Sequence, residues 1–108
     1  MNKIGIPNDL LKRVKERLQE TYGDRLKGVV LYGSEARGEA TEDSDIDLLV
    51  LLDGQVKVVG DLEKIILAIR PVQLEIDRPI HATPAIFSDY QAGEFPLYLY
   101  AREEGVLL

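Results

Sequence analysis

Two short segments hold the residue types whose spacing could do chemistry: Gly33-Ser34-Glu35-Ala36-Arg37-Gly38 and, soon after it, Ser44-Asp45-Ile46-Asp47-Leu48-Leu49-Val50. A Gly-Ser turn between a strand and a helix start is common, and its ordinary role is geometric, because glycine tolerates backbone angles that other residues avoid. The sharper reading is that the turn offers backbone N–H groups and the Ser34 hydroxyl to a triphosphate. Gly33 would allow close approach, and the helix start would favour negative charge. Asp45 and Asp47 stand two apart at the start of a strand, so their side chains share one face while Ile46, Leu48 and Val50 take the other. Two carboxylates so placed repel each other and need open solvent or a cation. Magnesium suits them, since it binds one or two carboxylates together with phosphate oxygens and water. The plain alternative is a pair of solvated strand-end acids. Five specified residues, each at roughly 5 to 7% usage, coincide about once in a million random starts, which weighs against coincidence.

The flanking segments supply elements that could position such a pair. Pro7-Asn8-Asp9 opens a helix in which Leu10, Leu11, Val14 and Leu18 recur at helical spacing until Gly23. Lys27 to Tyr32 is a short apolar run closed by Gly33, and Ile46 to Leu52 is the most hydrophobic stretch; both read as buried strands. Asp53-Gly54 predicts a turn, with Val56 to Val59 extending the sheet across a hairpin. Asp61 is placed to cap a helix with Leu62, Ile65, Ile66 and Ile69 on one face, which Pro71 must end or kink. Pro79 to Phe87 reads as an edge strand because of Pro79 and Pro84. Ser88-Asp89-Tyr90-Gln91 matches a capping box, and Pro96 leads a last short helix that stops at Gly105. The expected fold is α/β (α+β): a small mixed sheet flanked by helices, with residues 1–108 as one domain.

Composition narrows the classes of function. The 108 residues are 45% hydrophobic and 30% charged, as in a globular protein, and no apolar run approaches a membrane span. Met1-Asn2-Lys3 lacks an apolar signal core, so a cytoplasmic location and no membrane partner are expected. Without cysteine, and with His81 as the one histidine, any metal must rest on oxygen ligands. A net charge of −6 opposes broad nucleic-acid binding. Acids crowd one stretch (Glu35, Glu39, Glu42, Asp43, Asp45, Asp47), whereas Lys12, Arg13, Lys15 and Arg17 cluster in the first helix and read as solvated surface.

At GSEARG and SDIDLLV the chain resembles the minimal nucleotidyltransferases of the DNA polymerase β-like superfamily, whose signature is a G-S turn followed by D-x-D. The likeness in element order runs from the first helix to the final segment. It implies that Gly33 and Ser34 contact the triphosphate, that Asp45 and Asp47 coordinate catalytic Mg2+, and that Arg37 neutralises phosphate charge, a surface salt bridge to Glu35 or Glu39 being the bland option. The implied reaction is transfer of a nucleoside monophosphate, AMP from ATP or the equivalent from another NTP. The implied partner is a small helical HEPN-type protein, as in a toxin–antitoxin pair. Family members usually carry a third carboxylate on a later strand, and Pro79 to Phe87 contains none. Either Asp77 or Glu75 supplies it, Asp77 being preferred as a third metal ligand, or it is absent; His81 offers magnesium the wrong donor. The rival reading is a non-catalytic nucleotide-binding or antitoxin module that neutralises a partner by contact. Homo-oligomerisation stays open.

Overall fold

The structure is a computed structural model that describes Ile6, residues 8–41 and residues 43–108. The parts assigned above to Met1-Asn2-Lys3, Pro7 and Glu42 lie outside the described residues. In chain order the elements are α1 (Asn8–Tyr22), a 3-10 turn at Gly23–Arg25, β1 (Leu26–Tyr32), α2 (Ser34–Arg37), β2 (Ile46–Leu52), α3 (Val58–Gln73), β3 (Ile80–Ile86), α4 (Phe87–Ala92), α5 (Pro96–Glu104) and β4 (Val106–Leu107). The four strands form one mixed sheet in the order β3-β2-β1-β4. β1 runs antiparallel to both β2 and β4, and β2 runs parallel to β3. The parallel pair needs a long crossover, which α3 provides.

Strand alternation divides the core in two. Ile46, Leu48, Val50 and Leu52 of β2 join Val29 and Leu31 of β1 against α1 and α3. On the opposite face Val30, Leu49, Leu51 and Ala85 pack with Ala101 of α5, flanked by Tyr32, Phe87, Tyr90 and Tyr98. With both faces covered, β2 is hydrophobic almost throughout, and Asp47 is its one polar residue. Truncating a fully buried residue such as Leu48 to Ala would cost about 2–5 kcal/mol.

Several expectations are corrected by the structure. Val56 to Val59 does not extend the sheet: Asp53-Gly54 lies in a bend, and Val58 and Val59 are the exposed first residues of α3. The helix therefore begins before Asp61, which sits buried in its first turn and caps from within, accepting the Lys57 N–H at 2.8 Å and the Tyr22 hydroxyl at 2.7 Å. The buried face of α3 is Asp61, Ile65, Ala68, Ile69 and Val72, whereas Leu62 and Ile66 point outward. α3 also runs past Pro71 to Gln73, since a proline in the last turn removes only one helix hydrogen bond. α4 starts at Phe87 with no side-chain cap, so the capping box at Ser88 is not used. The basic cluster of α1 is not merely solvated: Arg13 bonds Glu75, Lys15 the Leu108 carbonyl and Arg17 the Ala68 carbonyl. β3 is an edge strand, as its prolines require, and α5 ends at Gly105.

Candidate active site

Antiparallel pairing brings the end of β1 beside the start of β2, so the two halves of the motif meet at one end of the sheet. Tyr32 stands opposite Asp47, and Asp47 in turn stands opposite His81 of β3. Gly33 leaves β1 with φ 78° and ψ −154°, and α2 begins at Ser34. Such a φ is strained for any residue with a β-carbon. A β-carbon built on Gly33 would also lie 2.5 Å from Oδ2 of Asp47, so the carboxylate would have to move aside. The bare glycine thus lets the carboxylate lie directly against the turn. The single turn of α2 closes at Gly38, also left-handed at φ 76°, with the Glu39 N–H bonding the Ser34 carbonyl at 2.9 Å. The Ser34 hydroxyl makes no hydrogen bond among the described residues.

Asp45 immediately precedes β2, and its Oδ2 lies 3.4 Å from Nδ1 of His81. Asp47 is held above the usual carboxylate range, chiefly by burial; repulsion from Asp45 adds to this, while His81 and Arg37 oppose it. A carboxylate that is half-buried, raised and next to a second acid is short of positive charge. This donor set of hard oxygens fits a divalent cation accompanied by phosphate. Arg37 is exposed, and its guanidinium is tied to Glu39 through Nε at 3.0 Å and to the Tyr100 hydroxyl through Nη1 at 3.2 Å. It remains close enough to lower the Asp47 pKa.

The structure does not bring the sought third acid to the pair. Glu75 turns away to form a two-pronged bond with Arg13 of α1, at 2.6 and 2.8 Å. Asp77 is exposed in the bend between α3 and β3. Among the described residues no group of three or more Asp, Glu, His or Cys side chains is arranged to hold a metal ion. The strand position facing Asp47 belongs to His81. Sequence reasoning also missed Tyr100 and Arg78, which reach the motif from far along the chain and carry no local signal.

Residues 11–88 match the nucleotidyltransferase domain family. The chain belongs to this family. Among its relatives is a protein of Methanocaldococcus jannaschii named as a "putative protein adenylyltransferase", 42% identical over 52 residues, 48% of this chain and 52% of that protein. A second of the same name is 44% identical over 53 residues, 49% and 51% of the two chains. The chain spans about half the length of these two curated relatives. A third is 32% identical over 79 residues, 73% of this chain and 77% of that protein. The fold is that of a crystal structure described as a putative nucleotidyltransferase from Sulfolobus solfataricus, with a TM-score of 0.51 at 17% identity over 97% of this chain and 90% of that one. All the residues singled out in the nucleotidyltransferase motif, Gly33 to Gly38 and Asp45 to Asp47, lie within the matched span. No helix among the described residues is long and apolar enough to cross a membrane.

Proposed function

We propose that the chain is a magnesium-dependent nucleotidyltransferase that moves a nucleoside monophosphate, AMP from ATP, onto an acceptor carried by a partner protein. The observation that carries this reading is the contact between the Gly33 turn and the Asp47 carboxylate, which supports a phosphate-binding role for a turn lying against the acidic pair. The names of the relatives favour AMP as the group moved and a protein as the acceptor. Asp45 and Asp47 would hold magnesium together with phosphate oxygens, and the ion would supply charge neutralisation to the triphosphate.

The other residues bind and orient. Gly33 admits the triphosphate close to the backbone, and the Ser34 hydroxyl donates to a phosphate oxygen. Arg37, steered by Glu39 and Tyr100, places a positive charge beside the same group. The acceptor oxygen attacks the α-phosphorus as the bond to the pyrophosphate oxygen breaks; the acceptor proton passes to solvent or to a nearby base, and pyrophosphate leaves. Holding the reactants in line supplies most of the rate. We further propose a small helical HEPN-type partner, as in toxin–antitoxin pairs, whose own surface presents the acceptor.

The experiment combines α-labelled ATP, magnesium and the product of the neighbouring gene, and follows labelled protein and released pyrophosphate. Label that depends on magnesium and vanishes in an Asp45→Asn, Asp47→Asn variant is expected; equal label in parent and variant would overturn the reading. His81, in the strand position facing Asp47, favours a second reading in which the module binds nucleotide and partner without transfer. Tight partner binding with no pyrophosphate released would select it.

A further inference from the structure

The two halves of the motif are joined by a connector in which Glu39, Thr41 and Asp43 are exposed. What fixes their spacing comes from elsewhere. Arg78, just before β3, donates from Nη2 to Oε1 of Glu35 at 2.7 Å and from Nε to the Ser44 carbonyl at 2.9 Å. Glu35 follows Ser34, and the Ser44 carbonyl belongs to the peptide bond that leads into Asp45. One planar guanidinium therefore grips the residue beside the phosphate turn and the residue beside the acidic pair.

Arg78 is itself held. Its carbonyl accepts from Nε2 of Gln73 at the end of α3, at 2.8 Å, and Oε1 of the same Gln73 accepts the Ile80 N–H at 2.7 Å. The Ile46 N–H bonds the Pro79 carbonyl at 2.8 Å, fixing the start of β2 to the same short segment. The side chains of Arg78 and Glu35 are each only 12% exposed, so the pair is largely removed from water. It is a poor device for stability alone. Desolvating two charges offsets much of their attraction, and Nη1 of Arg78 is buried with no hydrogen-bond partner among the described residues. A forked donor at fixed geometry does have one clear yield, which is a set distance between its two acceptors.

We propose that Arg78 is a positioning residue for nucleotidyl transfer: by bonding Glu35 and the Ser44 carbonyl together it sets the spacing between the phosphate turn and the Asp45–Asp47 pair. This rests on the transferase reading above. Arg78 touches neither the phosphates nor the acceptor; it acts through the two segments that do. Lysine cannot replace it, because a single ammonium on a flexible stem does not hold two acceptors at a fixed separation.

The test compares ATP affinity with and without magnesium, by calorimetry on the full chain, in the parent and in Arg78→Met, Arg78→Lys and Glu35→Ala, each with its thermal unfolding. In the parent, magnesium raises ATP affinity because the turn and the pair act on one triphosphate. The expected result is a fall of tenfold or more in that magnesium enhancement in Arg78→Met and Arg78→Lys, with magnesium-free ATP affinity within about threefold of the parent and a cooperative unfolding transition retained. Transfer activity should show the same pattern, kcat falling far more than KM rises. Should Arg78→Met fail to fold, Arg78→Lys and Glu35→Ala decide the question, since each loosens one arm of the fork. Folded variants with an undiminished magnesium enhancement and normal kcat would overturn the positioning role while leaving the transferase reading intact. A parent whose ATP affinity ignores magnesium would overturn both.

Discussion

An oxygen of the Asp47 carboxylate occupies the side of Gly33 on which every other L-amino acid carries its side chain. Glycine at position 33 thus suits the close approach of the neighbouring strand's acid as well as its own backbone angles. Gly33→Ala should accordingly damage both halves at once. A left-handed alanine costs about 1–3 kcal/mol in strain, and the displaced carboxylate can no longer share a cation with Asp45. The expected outcome is a lower unfolding temperature together with loss of magnesium-dependent ATP binding. Normal ATP affinity in a folded Gly33→Ala chain would show that the contact is incidental.

Asp47→Asn should separate stability from function. Burial and Asp45 both work against the Asp47 charge, so removing it relieves repulsion in the metal-free protein, by up to about 1 kcal/mol. On the proposed function, the same change would also remove a magnesium ligand. Thermal unfolding of the variant is expected at or above the parent temperature, with nucleotide transfer abolished. Marked destabilisation would mean that the carboxylate is held by structural partners instead.

Ser34→Ala should leave unfolding within about 0.5 kcal/mol of the parent, because the hydroxyl has no partner to lose among the described residues. ATP affinity with magnesium present should fall by several-fold. Activity per folded molecule equal to that of the parent would remove Ser34 from the phosphate site.

His81 and Asp77 make opposite predictions. Asp77→Asn should transfer nucleotide as the parent does, since Asp77 is exposed in a bend and joins no cluster of metal-ligating side chains among the described residues. His81→Ala, which frees Asp45 from its 3.4 Å neighbour, should change transfer measurably. Loss in Asp77→Asn alone would make Asp77 the missing acid and require the bend to close over the site.

The Tyr22–Asp61 pair predicts how stability depends on pH. Burial would raise the Asp61 pKa, but the Tyr22 hydroxyl, the Lys57 N–H and nearby Arg25 and Lys64 outweigh it and hold the acid below its usual range. An acid so depressed contributes stability that is complete above its unfolded pKa of about 3.9 and is lost as pH falls through the folded value. The Tyr22 phenol is pushed up, first by burial and then by Asp61. Its contribution is complete below about pH 10, the unfolded value, and is lost as pH rises beyond it. Tyr22→Phe should flatten the alkaline limb of a stability–pH profile and soften the acid limb. Asp61→Ala should cost about 2–4 kcal/mol near neutrality. Unchanged limbs in Tyr22→Phe would show that other groups set them.

Local patterning made the strands and the motif legible. Ile46 to Leu52 has no polar residue but Asp47, and period two alone separates its carboxylate from Ile46, Leu48 and Val50, which pack on the other face. Val56 to Val59 misled because β-branched residues at a helix start look like a strand; Asp61, buried and capping from within, overrides the local preference. Leu62 and Ile66 were assigned to the core on spacing alone, whereas the sheet is met by the neighbouring stripe of Ile65, Ala68 and Ile69. At the site, the contacts that sequence could not reveal are those that cross the sheet: Arg37 with Tyr100, and Arg78 with Glu35. Side chains of ordinary surface type carry no mark of a partner far along the chain.

The mixed sheet builds this surface from strand pairs of unequal sequence separation. The connector between β1 and β2 is shorter than the one between β2 and β3, so their antiparallel pairing is the more local of the two, and it sets the glycine turn beside the acidic pair. The parallel strand β3 pairs only after the chain has returned along α3, a longer and slower closure. Arg78 and His81 arrive with it. Register between the two halves of the motif is thus set by a local strand pair, whereas the guanidinium proposed to space them is carried on the far side of the α3 crossover.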